Sequence, residues 1–237
     1  MKIRQVERRF TSGAVEVRQR GSETTIEGHA AVFDKLSQNL GGFVERVMPG
    51  AFTKTLQEAD IRALFNHDEN LVLGRNKSGT LELSEDDTGL YYRITPPNTN
   101  YARDLLTVIE RGDISQSSFA FMTIEDEWGL SEQDFPRRDL LQVHLVDVSP
   151  VTYPAYLDTD TGTGRAAALV GLAKRTGVPI TDLSDADAIK RALAPDEEDS
   201  TTDEGKPDAS TYQRSVWSKR AETLALLESA YADFPTD

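Results

Sequence analysis

Three histidines and one cluster of serines are the residues of this 237-residue chain whose types suit nucleophilic chemistry. A serine hydroxyl attacks a carbonyl only when a base takes its proton, and the base works best when a third group fixes its tautomer and orientation. His29, in TIEGHAAVF, alternates with small and apolar residues and reads as an ordinary strand histidine. His67 closes the run IRALFNHDEN, where a strand opens into a polar turn and a scaffold can present a reactive group. A regular strand would place it on the face of Ile61, Ala63 and Phe65 and send the adjacent Asp68 to the other side.

The run ISQSSFAFM offers Ser115, Ser117 and Ser118. Alternation puts Ser117 with Phe119 and Phe121 on a core face, leaving Ser118, Ala120 and Met122 to face a cleft. For the orienter, Asp147 stands in QVHLVDVSPV between Val146 and Val148. A carboxylate in such apolar company needs a hydrogen-bond donor, and an imidazole N–H is one; a backbone amide or an arginine would serve as well. His144, three residues earlier, competes for the role, but a regular strand cannot aim both at one point. Backbone N–H groups at Ser118 and Phe119 are candidate oxyanion donors, with Arg137 or Arg138 as candidate helpers.

The elements that must position these residues are mostly short strands bounded by Gly, Pro, Asn and Asp. They are Ala14 to Arg18, Thr25 to Phe33, Ile61 to His67, Leu71 to Arg75, Thr80 to Ser84 and Leu90 to Thr95, followed by two long ones, Ser117 to Asp126 and Leu140 to Ser149. Helical spacing interrupts them at Gly50 to Ala59 and at Asn100 to Arg111. The string DTDTGTG, Asp158 to Gly164, reads as a linker. Ala166 to Lys174 and Thr181 to Leu193 then read as short helices, the second capped by Thr181. Asp182 to Ala209 holds 10 acids and 3 bases and should be partly disordered, and Thr211 to Tyr231 reads as an amphipathic helix. The expected organisation is a catalytic domain over residues 1–157, an acidic linker with short helices over 158–209 and a terminal helix over 210–237.

Composition excludes several classes. A net charge of −14 disfavours nucleic acid as a partner. The absence of cysteine removes disulfides, thiol nucleophiles and Cys-based zinc sites. There is no run of about 18 apolar residues to suggest a membrane span. No G-x-S-x-G elbow or HExxH appears, and Asp158, Asp160 and Gly162 lack the later glutamate of a calcium loop, so no metal or cofactor is expected.

The series GHAAVFD, VMPGAF, LFNHD, VLGR, GDISQSSFAF and LVDVSPVTYPAY, in order from Thr25 to Tyr156, resembles the prohead proteases of tailed bacteriophages, which are distantly similar to herpesvirus assemblins. The resemblance implies an α+β, mainly β fold, a compact β-barrel with flanking helices, here followed by the acidic C-terminal tail. It implies a serine nucleophile at Ser118, a histidine base at His67 and a third member at Asp147, where the family's element carries Glu; the herpesvirus relatives use a second histidine, which keeps His144 open. Ala120 departs from the family's usual Gly and adds a methyl beside the nucleophile. Also implied are cleavage of the scaffolding portion of capsid subunits inside the immature capsid in the host bacterial cytoplasm, and a homodimer by analogy with the herpesvirus enzymes; the disordered acidic stretch is itself open to cleavage, so autoproteolysis within residues 158–237 is expected. The competing function is a non-enzymatic assembly factor that keeps the fold as a binding platform.

Overall fold

The computed structural model describes residues 6–11, 15–21, 23–153 and 160–194. The expected helix at Thr211 to Tyr231 and the acidic stretch after residue 194 lie outside them. In chain order the elements are β1 (Glu7–Thr11), β2 (Val15–Arg20), β3 (Glu23–Val32), β4 (Val44–Val47), α1 (Thr53–Glu58), β5 (Arg62–Phe65), β6 (Asp68–Arg75), β7 (Leu81–Glu85), β8 (Gly89–Ile94), α2 (Asn100–Glu110), β9 (Gln116–Leu130), β10 (Pro136–Val151), α3 (Asp160–Thr176) and α4 (Ala186–Leu193). The mainly β, α+β class stands.

Two sheets form instead of a closed barrel. One runs β1-β9-β10-β5-β6 with β4 also on β10, and the other runs β2-β3-β8-β7. The long strand β10 serves two parallel neighbours at different heights: β4 pairs with Arg137–Leu140, and β5 pairs with Asp147 and Val148. Between the sheets, among the described residues, the backbone links are confined to strand ends: the bridge of Phe33 to Val47, and bonds such as the Val15 amide to the Ser115 carbonyl and the Thr80 amide to the Arg75 carbonyl. The sheets are joined by side chains. Ile26, Tyr92 and Ile94 from the second sheet pack with Phe119, Phe121, Leu145 and Val148 from the first, and Phe52, just before α1, sits edge-on to Phe119 at 5.6 Å. Burying apolar faces at about 25 cal/mol per Å² holds the layers together without a ladder between them.

The expected linker is corrected for its described part, because residues 160–164 are the first turns of α3. Local propensity loses to packing there. Leu169 and Leu172 of α3 join Phe43, Leu183 and Ile189 in a second apolar cluster, with Trp128 of β9 tilted against Phe43 at 4.9 Å. The compact unit accordingly runs through Ala194. Thr181 does not cap the last helix: a 3-10 turn spans Ile180–Asp182, and Asp185 caps α4 by accepting from the Ala188 amide at 2.9 Å.

Candidate active site

The site is built on the β9–β10 ladder. One face of this pair carries Phe119 opposite Val148 and Phe121 opposite Leu145, all buried in the core between the sheets. The other face carries Ser118 opposite Ser149, Ala120 opposite Asp147 and Met122 opposite His144. A bulge between Leu145 and Asp147 inserts Val146 as an unpaired residue. That extra residue reverses the alternation and carries Asp147 onto the same face as His144, overturning the parity argument that set the two apart.

His67 reaches this face from the β5–β6 hairpin. Strand β5 ends at Phe65, two residues short of the expected end, and Asn66 and His67 both adopt left-handed backbone, φ 55° and 56°. Such conformations are uncommon for residues other than Gly and persist where neighbours enforce them. The neighbours are on β10 and just beyond it. The Asn66 amide donates to the Pro150 carbonyl at 3.1 Å, the Asn66 side chain exchanges bonds with Thr152, and the His67 amide donates to Ser149 Oγ at 3.3 Å. The hairpin tip is thus folded over β10, which brings the imidazole above the ladder. Asp68 is left outside, accepting from the Asn70 amide at 2.9 Å, for this reason and not because of strand parity.

His67 Nδ1 lies 2.6 Å from Asp147 Oδ1 and Nε2 lies 2.7 Å from Ser118 Oγ. A carboxylate only accepts, so Nδ1 carries a proton and donates to Asp147, leaving Nε2 to face the serine hydroxyl. Ser149 Oγ donates to Asp147 Oδ1 at 2.9 Å while accepting from the His67 amide. All four residues are nearly closed from solvent: Ser118 is 4% exposed and Ser149 0%, and the side chains of His67 and Asp147 are 9% and 8% exposed. Both ring nitrogens of His67 are engaged without His144, which stands farther along the ladder opposite Met122.

The other residues singled out in the sequence fall into place around this line. Ser117 points to the opposite face, fully buried, and shares a hydrogen bond with the Tyr92 hydroxyl at 2.8 Å; burial pushes that phenol far above its ordinary pKa. His29 pairs with Asp86 at 2.8 Å and meets Tyr91 edge-on, as a strand histidine should. Arg137 is paired with Asp139. Arg138, 2% exposed, is locked in a buried ion cluster opposite Trp128, far along the ladder from Ser118, so neither arginine is aimed at the serine. Ser149 was missed, although it stands two residues beyond Asp147 on the same strand face. Arg9, whose carbonyl touches the serine, carried no sequence signal.

The ion cluster joins five elements. Arg138 of β10 bonds Glu7 of β1, Glu45 of β4 and Asp126 of β9, Arg9 of β1 bonds Glu7 and Glu45, and Arg175 of α3 bonds Asp126. Burial would raise the Glu7 carboxyl, but the adjacent Arg138 and Arg9 outweigh it and hold the group below the usual carboxylate range. Asp126 is lowered in the same way, burial being overcome by Arg175 and Arg138. Three cations and three anions make the cluster neutral, which is what permits its burial.

A hydroxyl, an imidazole and a carboxylate hydrogen-bonded in line on a mainly β scaffold define a site of the serine-hydrolase kind, recognised by geometry and not by chain order. The sequence matches the caudovirus prohead serine protease family over residues 13–169, and the chain belongs to that family, a group of phage capsid-maturation proteases. No curated protein matches the sequence. Among solved structures the chain is similar to the bacteriophage T4 capsid assembly protease, gp21, at 13% identity and a TM-score of 0.43 over 63% of this chain and 98% of that one. Among the described residues no cluster of His, Asp or Glu is arranged to hold a metal, and no helix is long and apolar enough to cross a membrane.

Proposed function

We propose that this protease cleaves the scaffolding portion of phage capsid subunits during prohead maturation, with Ser118 as nucleophile, His67 as general base and Asp147 as orienter. The observation that carries the reading is the unbroken line from Asp147 Oδ1 through His67 to Ser118 Oγ. Ser118 Oγ attacks the scissile carbonyl carbon as Nε2 takes its proton. His67 then returns that proton to the leaving amine, and a water repeats the sequence to release the acyl group. Asp147 keeps Nδ1 protonated and stabilises the imidazolium that forms in between.

The enzyme acts within the immature capsid in the host cell. There it is confined with many copies of its substrate, so high local concentration substitutes for a deep specificity pocket. The catalytic unit is expected to shed part of residues 158–237 by its own activity, and a homodimer is the expected assembly.

Co-expression with the capsid subunit tests the reading. A shortened subunit should appear with the wild-type chain and vanish with Ser118→Ala and with His67→Ala. Processing that survives both changes means that these residues do not carry the reaction and favours the binding-platform alternative. Intact mass of wild type beside Ser118→Ala tests self-cleavage, because identical truncation in both would exclude it.

A further inference from the structure

His67 stands in a demanding backbone position. Phe65 and Asp68 pair across the β5–β6 hairpin, so Asn66 and His67 form a two-residue turn, with φ of 55° and 56°. Two positive φ values in such a hairpin define a type I′ turn, whose preferred sequences are Asn-Gly and other pairs ending in Gly. Asn66 suits the first position. His67 occupies the second, where glycine is favoured, and its Cβ brings crowding that glycine avoids. A turn of this kind persists only when its surroundings enforce it.

The support comes from the edge of β10. Strand β5 pairs with β10 in parallel through Arg62 with Asp147 and Ala63 with Val148, and among the described residues no strand covers that edge beyond Val148. In a parallel ladder a residue donates its N–H to one residue of the neighbouring strand and accepts from the N–H two residues further on. Asn66 makes both bonds. Its amide donates to the Pro150 carbonyl at 3.1 Å, and its side-chain Oδ1 accepts from the Thr152 amide at 2.8 Å. The side-chain carbonyl takes the part that a main-chain carbonyl plays in a regular ladder. A third bond runs from Asn66 Nδ2 to Thr152 Oγ1 at 3.1 Å. Asparagine combines tolerance of left-handed backbone with an acceptor and a donor on one short side chain.

We propose that Asn66 and Thr152 are positioning residues: they form a side-chain rung that continues the β5–β10 ladder past its last strand pair and fixes the turn that holds His67 over Ser118. The inference rests on the reading of Ser118 as nucleophile and His67 as its base.

The imidazole must meet Ser118 Oγ at 2.7 Å and Asp147 Oδ1 at 2.6 Å at the same time. A misplacement of about 1 Å can cost on the order of 10²-fold in rate. The remaining tie between His67 and β10, its amide to Ser149 Oγ, is the longest of the four at 3.3 Å. The rung itself lies at the rim, since Asn66 and Thr152 are both exposed. It touches neither the reacting atoms nor the core, so it can be removed while the fold and the catalytic side chains stay in place.

A fluorophosphonate probe reads the alignment in the full chain without any substrate: Ser118 Oγ forms the P–O bond, fluoride leaves, and His67 takes the hydroxyl proton. Saturation kinetics separate the maximal labelling rate from probe binding. Asn66→Gly keeps a residue at ease in the left-handed turn and deletes the rung, so the maximal rate should fall about tenfold with the half-saturating concentration unchanged. Thr152→Val removes the hydroxyl and should lower the rate about threefold, while Thr152→Ser keeps it and should stay within about twofold of wild type. The double variant, Asn66→Gly with Thr152→Val, should label no more slowly than Asn66→Gly alone, because both changes break the same contact. Thermal unfolding checks that every variant is folded. Labelling of Asn66→Gly and Thr152→Val within about twofold of wild type overturns the rung, and so do losses that multiply in the double variant; either result leaves the nucleophile standing. If the folded wild type does not label at all, the nucleophile reading fails and the rung with it.

Discussion

Asp147→Asn is the sharpest test of the catalytic line, because it keeps the shape of the side chain and removes only its charge. Asp147 accepts from His67 Nδ1 at 2.6 Å and from Ser149 Oγ at 2.9 Å, and its side chain is 8% exposed. On the proposed mechanism His67 takes the serine proton as attack occurs, so the carboxylate matters most when the imidazolium forms. With about 4 Å between the charge centres and an effective dielectric near 20, the pair is worth roughly 4 kcal/mol, and most of that loss falls on the barrier. At about 1.4 kcal/mol per decade, the rate of Ser118 acylation should drop about 10³-fold. Fluorophosphonate labelling at fixed pH measures it, with thermal unfolding as the control for folding. Ser118→Ala should abolish labelling altogether, and His144→Gln should stay within a few-fold of wild type. A labelling rate for Asp147→Asn within about threefold of wild type, together with a larger loss for His144→Gln, would refute the assignment and make His144 the third member.

Two further outcomes follow from the surroundings of that line. Ser149→Ala deletes one bond to the Asp147 carboxylate and one from the His67 amide; bonds of this kind to charged groups are worth about 1.5–3 kcal/mol, so kcat should fall roughly 10- to 100-fold with KM little changed, and Ser149→Thr should restore it. For the ion cluster, Glu7 and Asp126 have folded-state pKa values below their ordinary 4.5 and 3.8, so the unfolded chain binds protons first as the pH falls. The stability they contribute is complete above the ordinary values and is lost as pH drops through the lowered ones. Circular dichroism melts taken downward from pH 6 should therefore show a steep loss of Tm below about pH 4.5, and Glu7→Gln should flatten the Glu7 part of that slope at the cost of a lower Tm at pH 6.

Several elements were legible because they rest on local rules. Alternation alone assigned Ser117 and Ser118 to opposite faces, and the structure sends Ser117 to Tyr92 and Ser118 to His67. The helical spacing from Asn100 gave α2, and most strands fall within a few residues of their expected bounds. The failures share one cause. Regular alternation was extended through Asn66 and His67 and through Val146, where left-handed backbone and a bulge break it. Two errors then offset each other: Asp68 is excluded by the hairpin tip instead of by parity, and Asp147 stays with His67 although the bulge puts His144 on the same face. The linker reading of residues 160–164 failed because Gly, Thr and Asp speak against a helix locally, while packing of Leu169 and Leu172 on Phe43 favours one.

The amino-acid sequence by itself determined the chemical inventory. With no thiol, no metal-ligand spacing and three histidines, it narrowed the candidates to a serine, a base and a carboxylate, and its resemblance to the prohead proteases pointed to Ser118, His67 and Asp147. Only the tertiary structure decided what each touches. The contacts that make the site join residues 51, 80 and 109 positions apart: the serine to the histidine, the histidine to the aspartate, and the serine to the Arg9 carbonyl. Periodicity constrains neighbours a few residues away and carries no information about such distances. Ser149 beneath the histidine and β1 across the serine became visible only once β5, β10 and β1 were laid beside one another.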